Sequence, residues 1–292
     1  MTKRICGLYS LELFSQKEWT DFFIHILILW GETMNNCINV EGLSKIYNEK
    51  EIVKSIGFTV GQGQVFAFLG PNGAGKSTTM NMVGTLLPKS KGSIFIDGIN
   101  IDTHKSEIKR KIGIVFQEDV LDEDLTIEKN LIYRGAFYWK TDLELRNQVD
   151  KVVCKLGLKD ILYKKYKECS GGQKRLAQIA RAIIPKPKLL ILDEPTAGLD
   201  PVIRSHVWTV LQELKKDQNM TIFYTTHYLD EASYADTICI LKEGQILVCG
   251  SLKQIQQQWK GSRKAPTLDE IYFKLLKGDS PCVISDILCK EI

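Results

Sequence analysis

The sequence predicts an α/β fold built on a mainly parallel sheet. Three observations carry that prediction. Val65–Leu69 and Leu189–Leu192 are short uninterrupted apolar runs, the pattern left by parallel strands covered on both faces. Such runs alternate along the chain with stretches of helical spacing. A glycine-rich break, Gly70–Gly75, ends the first run just before a helix-like stretch, Lys76–Leu87.

Taken in order, residues 1–35 stand apart. Leu8, Leu11, Leu13 and Phe14 are followed by charged residues and then the apolar run Phe22–Trp30, and no single period holds throughout. This segment is expected to be an extension upstream of a natural start at Met34; a membrane-surface or partner-binding helix is the sharper alternative. Ile38–Val40 and Ile52–Val60 read as strands around an Asn48–Lys50 turn, with Gly61–Gly63 as a second turn. Ile94–Asp97, closed by Asp97-Gly98, and Ile112–Phe116 read as further strands. Residues 118–180 lose the β-branched runs and show helical spacing over Leu125–Phe137 and Leu143–Leu156, so a helical insert is expected there. Helix-like stretches at 174–184 and 202–216 precede the strands Leu189–Leu192 and Thr221–Thr225. Thr237–Leu241 and Gln245–Val248 flank Lys242-Glu243-Gly244 as a hairpin. The expected organisation is therefore an extension at 1–35, one α/β domain at 36–250 with its helical subdomain inserted at about 118–180, and a C-terminal helical tail at 251–292. No motif is duplicated.

Composition narrows the function. The chain has 292 residues, 44% hydrophobic and 25% charged, with 22 Gly and 8 Pro, which excludes collagen-like and disordered classes. A net charge of +4 is too mild to predict nucleic-acid binding, and no nucleic-acid partner is expected. No apolar run approaches the roughly 20 residues of a membrane-spanning helix; the nearest, Phe22–Trp30, contains His25. A pore formed by this chain alone is not expected. Nor is a signal peptide, because Lys17, Glu18 and Asp21 precede the run and no small-residue cleavage site follows it. Eight cysteines without a C-x-x-C, and only four histidines, make a poor zinc or disulfide framework and suit a reducing compartment. Cys239 and Cys249, inside apolar runs, read as small core residues.

The chemistry begins at Gly70-Pro71-Asn72-Gly73-Ala74-Gly75-Lys76-Ser77, a full match to G-x-x-x-x-G-K-[ST] with a buried strand before it and a helix after it. Glycines let the backbone curl so that its N–H groups point inward at phosphate oxygens, and the helix start adds its positive end. Lys76 can reach the β- and γ-phosphates, and the Ser77 hydroxyl can ligate Mg²⁺. A chance glycine turn would not come with both flanking elements. The motif gives nucleoside-triphosphate binding and leaves kinase, GTPase and ATPase open.

Leu189–Leu192 delivers Asp193 and Glu194 at a strand end, where ligands of such sheets gather. Asp193 suits the metal partner of a phosphate loop, and Glu194 is placed to act on an attacking water; a plain surface acidic pair is the bland alternative. Ser170-Gly171-Gly172-Gln173 opens another helix, with Ser170 as N-cap and two glycines leaving backbone N–H groups uncovered. In isolation that turn reads better as a simple Ser-Gly cap. If both helix ends grip phosphate, one nucleotide in one subunit does not obviously need both.

Together these residues resemble the ATP-binding cassette (ABC) family. Gly70–Thr78, with Thr78 closing the motif, is similar to its Walker A sequence, Cys169–Gln173 to its signature and Leu189–Glu194 to its Walker B. Gln117 resembles the Q-loop glutamine, Ala197-Gly-Leu-Asp200 the D-loop, His227 the switch histidine and Tyr47 the adenine-stacking aromatic. The resemblance covers about 37–278; residues 1–35 have no counterpart, and Cys169 replaces the usual leucine at a packing position. Phe66–Gly73, Leu121–Thr126, Thr225–Ala232 and Ala265–Tyr272 are similar to the drug and polysaccharide exporter branch.

The resemblance implies a P-loop NTPase sheet with an antiparallel β subdomain and an inserted helical subdomain. It implies an ATPase with ATP and Mg²⁺ as cofactors. Ser77, Gln117 and Asp193 would serve the metal, Glu194 would polarise water, and His227 would hold the γ-phosphate and the geometry of Glu194. It also implies two cassettes, identical or not, meeting head to tail so that Ser170–Gln173 of one closes on ATP held by the other. The partner is a separate membrane permease at the cytoplasmic face of the membrane. The alternative is a soluble cassette ATPase acting on ribosomes or DNA. One phosphate loop, one signature and no long coiled-coil insert argue against it.

Overall fold

The computed structural model describes residues 36–259 and 266–279. The expectations for residues 1–35 and for the rest of the tail fall outside those residues. The elements run β1 (Asn36–Tyr47), β2 (Lys50–Gly61), β3 (Val65–Leu69), α1 (Lys76–Val83), β4 (Lys91–Ile96), β5 (Ile99–Asn100), α2 (Lys105–Lys111) and β6 (Ile112–Val115). Then come α3 (Ile127–Gly135), α4 (Asp142–Lys155), α5 (Gly171–Ile183), β7 (Leu189–Asp193), α6 (Pro201–Gln218) and β8 (Thr221–Thr226). The hairpin β9 (Thr237–Lys242) and β10 (Gln245–Gly250), with α7 (Leu252–Gln258) and α8 (Leu268–Lys277), completes the described chain.

Six strands form one sheet in the order β10-β9-β3-β8-β7-β6. All its pairings are parallel except β10 with β9. Five strands, β9, β3, β8, β7 and β6, therefore run in one direction and end on one edge, and the loops after β3, β8, β7 and β6 share that edge. β3 and β7 are buried at every residue because both faces of the sheet are covered, which is why they read as unbroken apolar runs. Register fixes the edge: Leu69 stands opposite Thr226, and Asp193 opposite Thr225.

The second sheet, β2-β1-β4-β5, is antiparallel. It packs on the large sheet through an aromatic knot, in which the Phe58 ring of β2 lies 5.3 Å from Phe66 and 4.9 Å from Phe68. The opposite face of the large sheet, with Val65, Leu192 and Tyr224, is covered by α3–α6. Ile255, Ile271 and Leu275 of α7 and α8 pack on Ile238 and Ile240 of β9.

Three elements differ from expectation. β1 runs on through Ser44 and Lys45, which are buried although polar, because it is paired on both sides by β2 and β4. α1 stops at Val83, with Gly84 as its C-cap, rather than continuing to Leu87. α2 was not foreseen: Lys-Ser-Glu-Ile-Lys-Arg-Lys has a single buried residue, Ile108, and so no period to read.

Candidate functional site

The loop after β3 carries the first cluster. Gly73 (φ 79°) and Gly75 (φ 99°) adopt the left-handed region, where a side chain would be strained. A Cβ on Gly70 would lie 2.3 Å from the Leu241 carbonyl oxygen, so the loop can follow this path only without one. Open space surrounds the corresponding point on Gly73. The Lys76 ammonium is folded back into its own loop, donating to Gly70 O (2.7 Å) and Pro71 O (3.1 Å). Burial pushes that ammonium below its ordinary range, and the Glu194 and Asp193 carboxylates oppose the shift.

β7 and β8 bring the acidic cluster to the same edge. Asp193 Oδ1 accepts from Ser77 Oγ (3.0 Å) and from the Thr225 hydroxyl. Ser77, 116 positions away in sequence, thus joins the first helix turn to the end of β7. Glu194 has φ 45°, which costs a non-glycine residue of the order of 1–3 kcal/mol. Its backbone is clamped in that conformation: Glu194 N donates to Thr225 O (3.2 Å) and Thr225 Oγ1 (3.1 Å), and its carbonyl accepts from Arg175 Nη2 (3.4 Å). The result sends the carboxylate to His227, whose Nδ1 lies 3.1 Å from Glu194 Oε1. Behind them Glu231 is buried against the Thr196 and Thr226 hydroxyls, and burial pushes its carboxyl above the ordinary range.

The remaining predicted residues lie around this centre. Gln117 is exposed, two residues beyond β6; Arg175 donates to Phe116 O (2.8 Å), tying that loop to α5. Tyr47 is exposed at the β1–β2 tip, with the Lys45 ammonium 4.6 Å from its ring centre. β2 leads from that tip to Ile52, whose carbonyl oxygen is 3.1 Å from where a Cβ on Gly75 would sit. Ser170 caps α5 in a reciprocal box with Gln173: Ser170 N donates to Gln173 Oε1 (3.0 Å) and Gln173 N to Ser170 Oγ (3.4 Å). Ser170 and Gly171 are exposed. Gly172 is buried, and a Cβ there would fall 2.4 Å from Ile203 Cγ2 of α6. Among the described residues no hydrogen bond joins Ser170–Gln173 to Gly70–Ser77. Asp200 caps α6, accepting from Val202 N and Ile203 N, both at 3.1 Å. Cys169 is buried in the core cluster under α5.

Sequence reading missed three contributors. Thr225 serves Asp193 and Glu194 at once; Arg175 links α5 to the ends of β6 and β7; Asp119 accepts from Tyr166 Oη (2.8 Å), Gln178 and Lys174 (3.2 Å) to pin the loop after Gln117. Only strand register could have paired Thr225 with Asp193. Arg175 offered a weak signal, a charged residue on the apolar face of α5.

A family model described as ABC transporter matches residues 53–197. The linearmycin resistance ATP-binding protein LnrL of Bacillus subtilis (strain 168) is 39% identical over 215 residues, 73% of this chain and 69% of that protein. The daunorubicin/doxorubicin resistance ATP-binding protein DrrA of Streptomyces peucetius is 36% identical over 220 residues, 75% of this chain and 66% of that protein. The chain thus spans about two thirds of the length of each. Among solved structures, the ATP-binding cassette MJ0796, a dimer in a post-hydrolysis state bound to ADP and Pi, superposes with a TM-score of 0.68 at 27% identity, covering 74% of this chain and 98% of that one.

Proposed function

This chain belongs to the ABC transporter family, and on that premise we propose that it is the ATP-binding and ATP-hydrolysing subunit that drives a separate membrane permease, exporting a drug-like or other small molecule. Both relatives are named as drug-resistance ATP-binding proteins, which supports export and does not favour the ribosome- or DNA-acting alternative. Among the described residues no helix is long and apolar enough to cross a membrane. In this reading the work at the membrane falls to the permease, with this chain held at its cytoplasmic face.

The observation that carries the reading is the convergence of Lys76, Ser77, Asp193, Glu194 and His227 at one sheet edge. The donor set fits magnesium: Ser77 Oγ and Asp193 Oδ1 are hard oxygens 3.0 Å apart, and Gln117 follows the neighbouring strand. Mg²⁺, when bound, neutralises charge on the β- and γ-phosphates. The protein's own groups do the rest. Backbone N–H groups of Gly70–Thr78, other than Pro71, which has none, hold the phosphates, and Lys76 exchanges its two carbonyl partners for phosphate oxygens. Glu194 orients the attacking water and holds its proton. His227 fixes the Glu194 carboxylate and reaches the γ-phosphate. Tyr47 offers its ring to adenine.

Ser170–Gln173 present an exposed capped helix start to the ATP of a second cassette. The dimeric state of the related cassette supports that pairing.

Glu194→Gln tests the reading. It should retain ATP binding while turnover falls roughly 10²–10⁴-fold, the usual size of a lost general base. Hydrolysis at the parent rate would overturn the assignment.

A further inference from the structure

The β9–β10 hairpin is the edge of the large sheet, and it braces the phosphate loop from behind. At its tip Gly244 N donates to Ala74 O (3.0 Å), and Gly244 O accepts from Lys54 N (2.9 Å). Leu241 O fills the space that a side chain on Gly70 would need. Further along the same ladder Cys239 stands directly opposite Cys249. Both pack against the core shared with the small sheet; Cys239 is fully buried, and Cys249 is half-buried on the edge strand. Facing residues of an antiparallel pair hold their Cβ atoms about 4.5–5.5 Å apart. A disulfide asks for about 3.5–4.5 Å. A contraction of roughly 1 Å therefore separates the two thiols from a bond.

We propose that Cys239 and Cys249 form a redox-active dithiol, oxidised to a cross-strand disulfide by a low-molecular-weight disulfide, and that this closure weakens the grip of the phosphate loop on nucleotide. The Cys249 thiolate, on the outer strand, attacks one sulfur of the small disulfide and expels the other half as a thiolate. That thiolate takes the Cys239 proton. The Cys239 sulfur then attacks Cys249 and expels the second small thiol. Two protein thiols are oxidised by two electrons, and one small disulfide is reduced to two thiols. The order suits the site: Cys249 lies on the outer strand and is the more exposed thiol, while burial pushes Cys239 well above its ordinary range. Drawing the strands together shifts the hairpin whose tip holds Ala74 and whose Leu241 carbonyl lies against Gly70. The nucleotide half of the proposal rests on the ATPase reading; the thiol chemistry does not.

The test uses the full chain, fully reduced and then exposed to oxidised glutathione, with remaining thiols alkylated and the products mapped by mass spectrometry. ATP binding by the reduced chain is measured first, so failure of the ATPase reading is seen separately. Apart from any glutathione adduct at the exposed Cys154, oxidation should join the peptides carrying Cys239 and Cys249 and raise the ATP Kd several-fold, all reversed by dithiothreitol. Cys239→Ala should stop at one glutathione adduct on Cys249, whereas Cys249→Ser should leave Cys239 unmodified. Oxidation confined to other cysteines would overturn the dithiol assignment, and a 239–249 disulfide with unchanged ATP affinity would overturn the coupling.

Discussion

His227 Nδ1 lies 3.1 Å from Glu194 Oε1, although the residues are 33 positions apart in sequence and leave the ends of adjacent parallel strands. The contact exists because Glu194 takes a left-handed backbone conformation that Thr225 and Arg175 hold in place. Strain of this kind persists only where the surroundings over-determine it.

If His227 acts by holding that carboxylate and the γ-phosphate, its loss should appear in turnover more than in binding. His227→Ala is expected to lower kcat about 10²-fold, the cost of removing one preorganised group. Steady-state ATPase assays beside equilibrium binding of ATP to the same protein make the comparison. Equal losses in both would place His227 in ground-state binding instead.

Thr225 carries a double load, with one hydroxyl donating to Asp193 and accepting from Glu194 N. Thr225→Val keeps the shape and removes the hydroxyl. Unsatisfied buried groups then remain, at a cost of about 1–3 kcal/mol. Urea unfolding should show that loss as a lower midpoint, and turnover should fall as well, because Glu194 loses one of its clamps. A variant with parent stability and parent kcat would show that Thr225 O alone holds the Glu194 backbone.

The parts of this site that were legible in the sequence are those whose chemistry is written in contiguous residues. Gly70–Ser77 needs its glycines within one loop, and β3 and β7 betray themselves by burial on both faces. Glu194 was legible because it follows the apolar strand end and Asp193 directly, and His227 only through the family resemblance of Thr225–Ala232. Thr225, Arg175 and Asp119 were not, since their roles depend on which strands become neighbours and on what a buried guanidinium finds there. α2 escaped for the opposite reason: seven residues with one apolar contact carry no period, and tertiary packing through Ile108 decides the helix.

Gly172 separates packing from phosphate binding. A methyl group there meets Ile203 Cγ2 at 2.4 Å, so Gly172→Ala should cost about 1–3 kcal/mol by overpacking α5 against α6. Pairing it with Ile203→Ala opens the space and should restore much of the stability, read as recovery of the thermal midpoint. ATPase activity should stay low in the double variant if the exposed turn must approach a phosphate. Full recovery of both would make Gly172 a packing residue alone.

Ser170–Gln173 is capped, partly exposed and without a hydrogen bond to the phosphate loop of its own chain, while that loop already has a helix end of its own in α1. If both ends close on the same γ-phosphate across an interface, a second cassette supplies one of them. ATP binding to the isolated chain should therefore depend on Lys76 and barely on Ser170, whereas turnover should need both. Mixing decides the matter. A Lys76→Ala chain and a Ser170→Arg chain should each be inactive, since every site in either homodimer lacks one half. In the mixed dimer one composite site joins the intact phosphate loop of the Ser170→Arg chain to the intact Ser170 turn of the Lys76→Ala chain. ATPase activity should then return on mixing, up to the fraction of mixed dimers measured by light scattering with one partner tagged. Mixed dimers that form and stay silent would mean either that each chain completes its own site or that the two sites must fire together. A tethered dimer of one Ser170→Arg half and one parent half distinguishes these: activity survives in the parent half if each chain completes its own site, and none survives if the two sites must fire together.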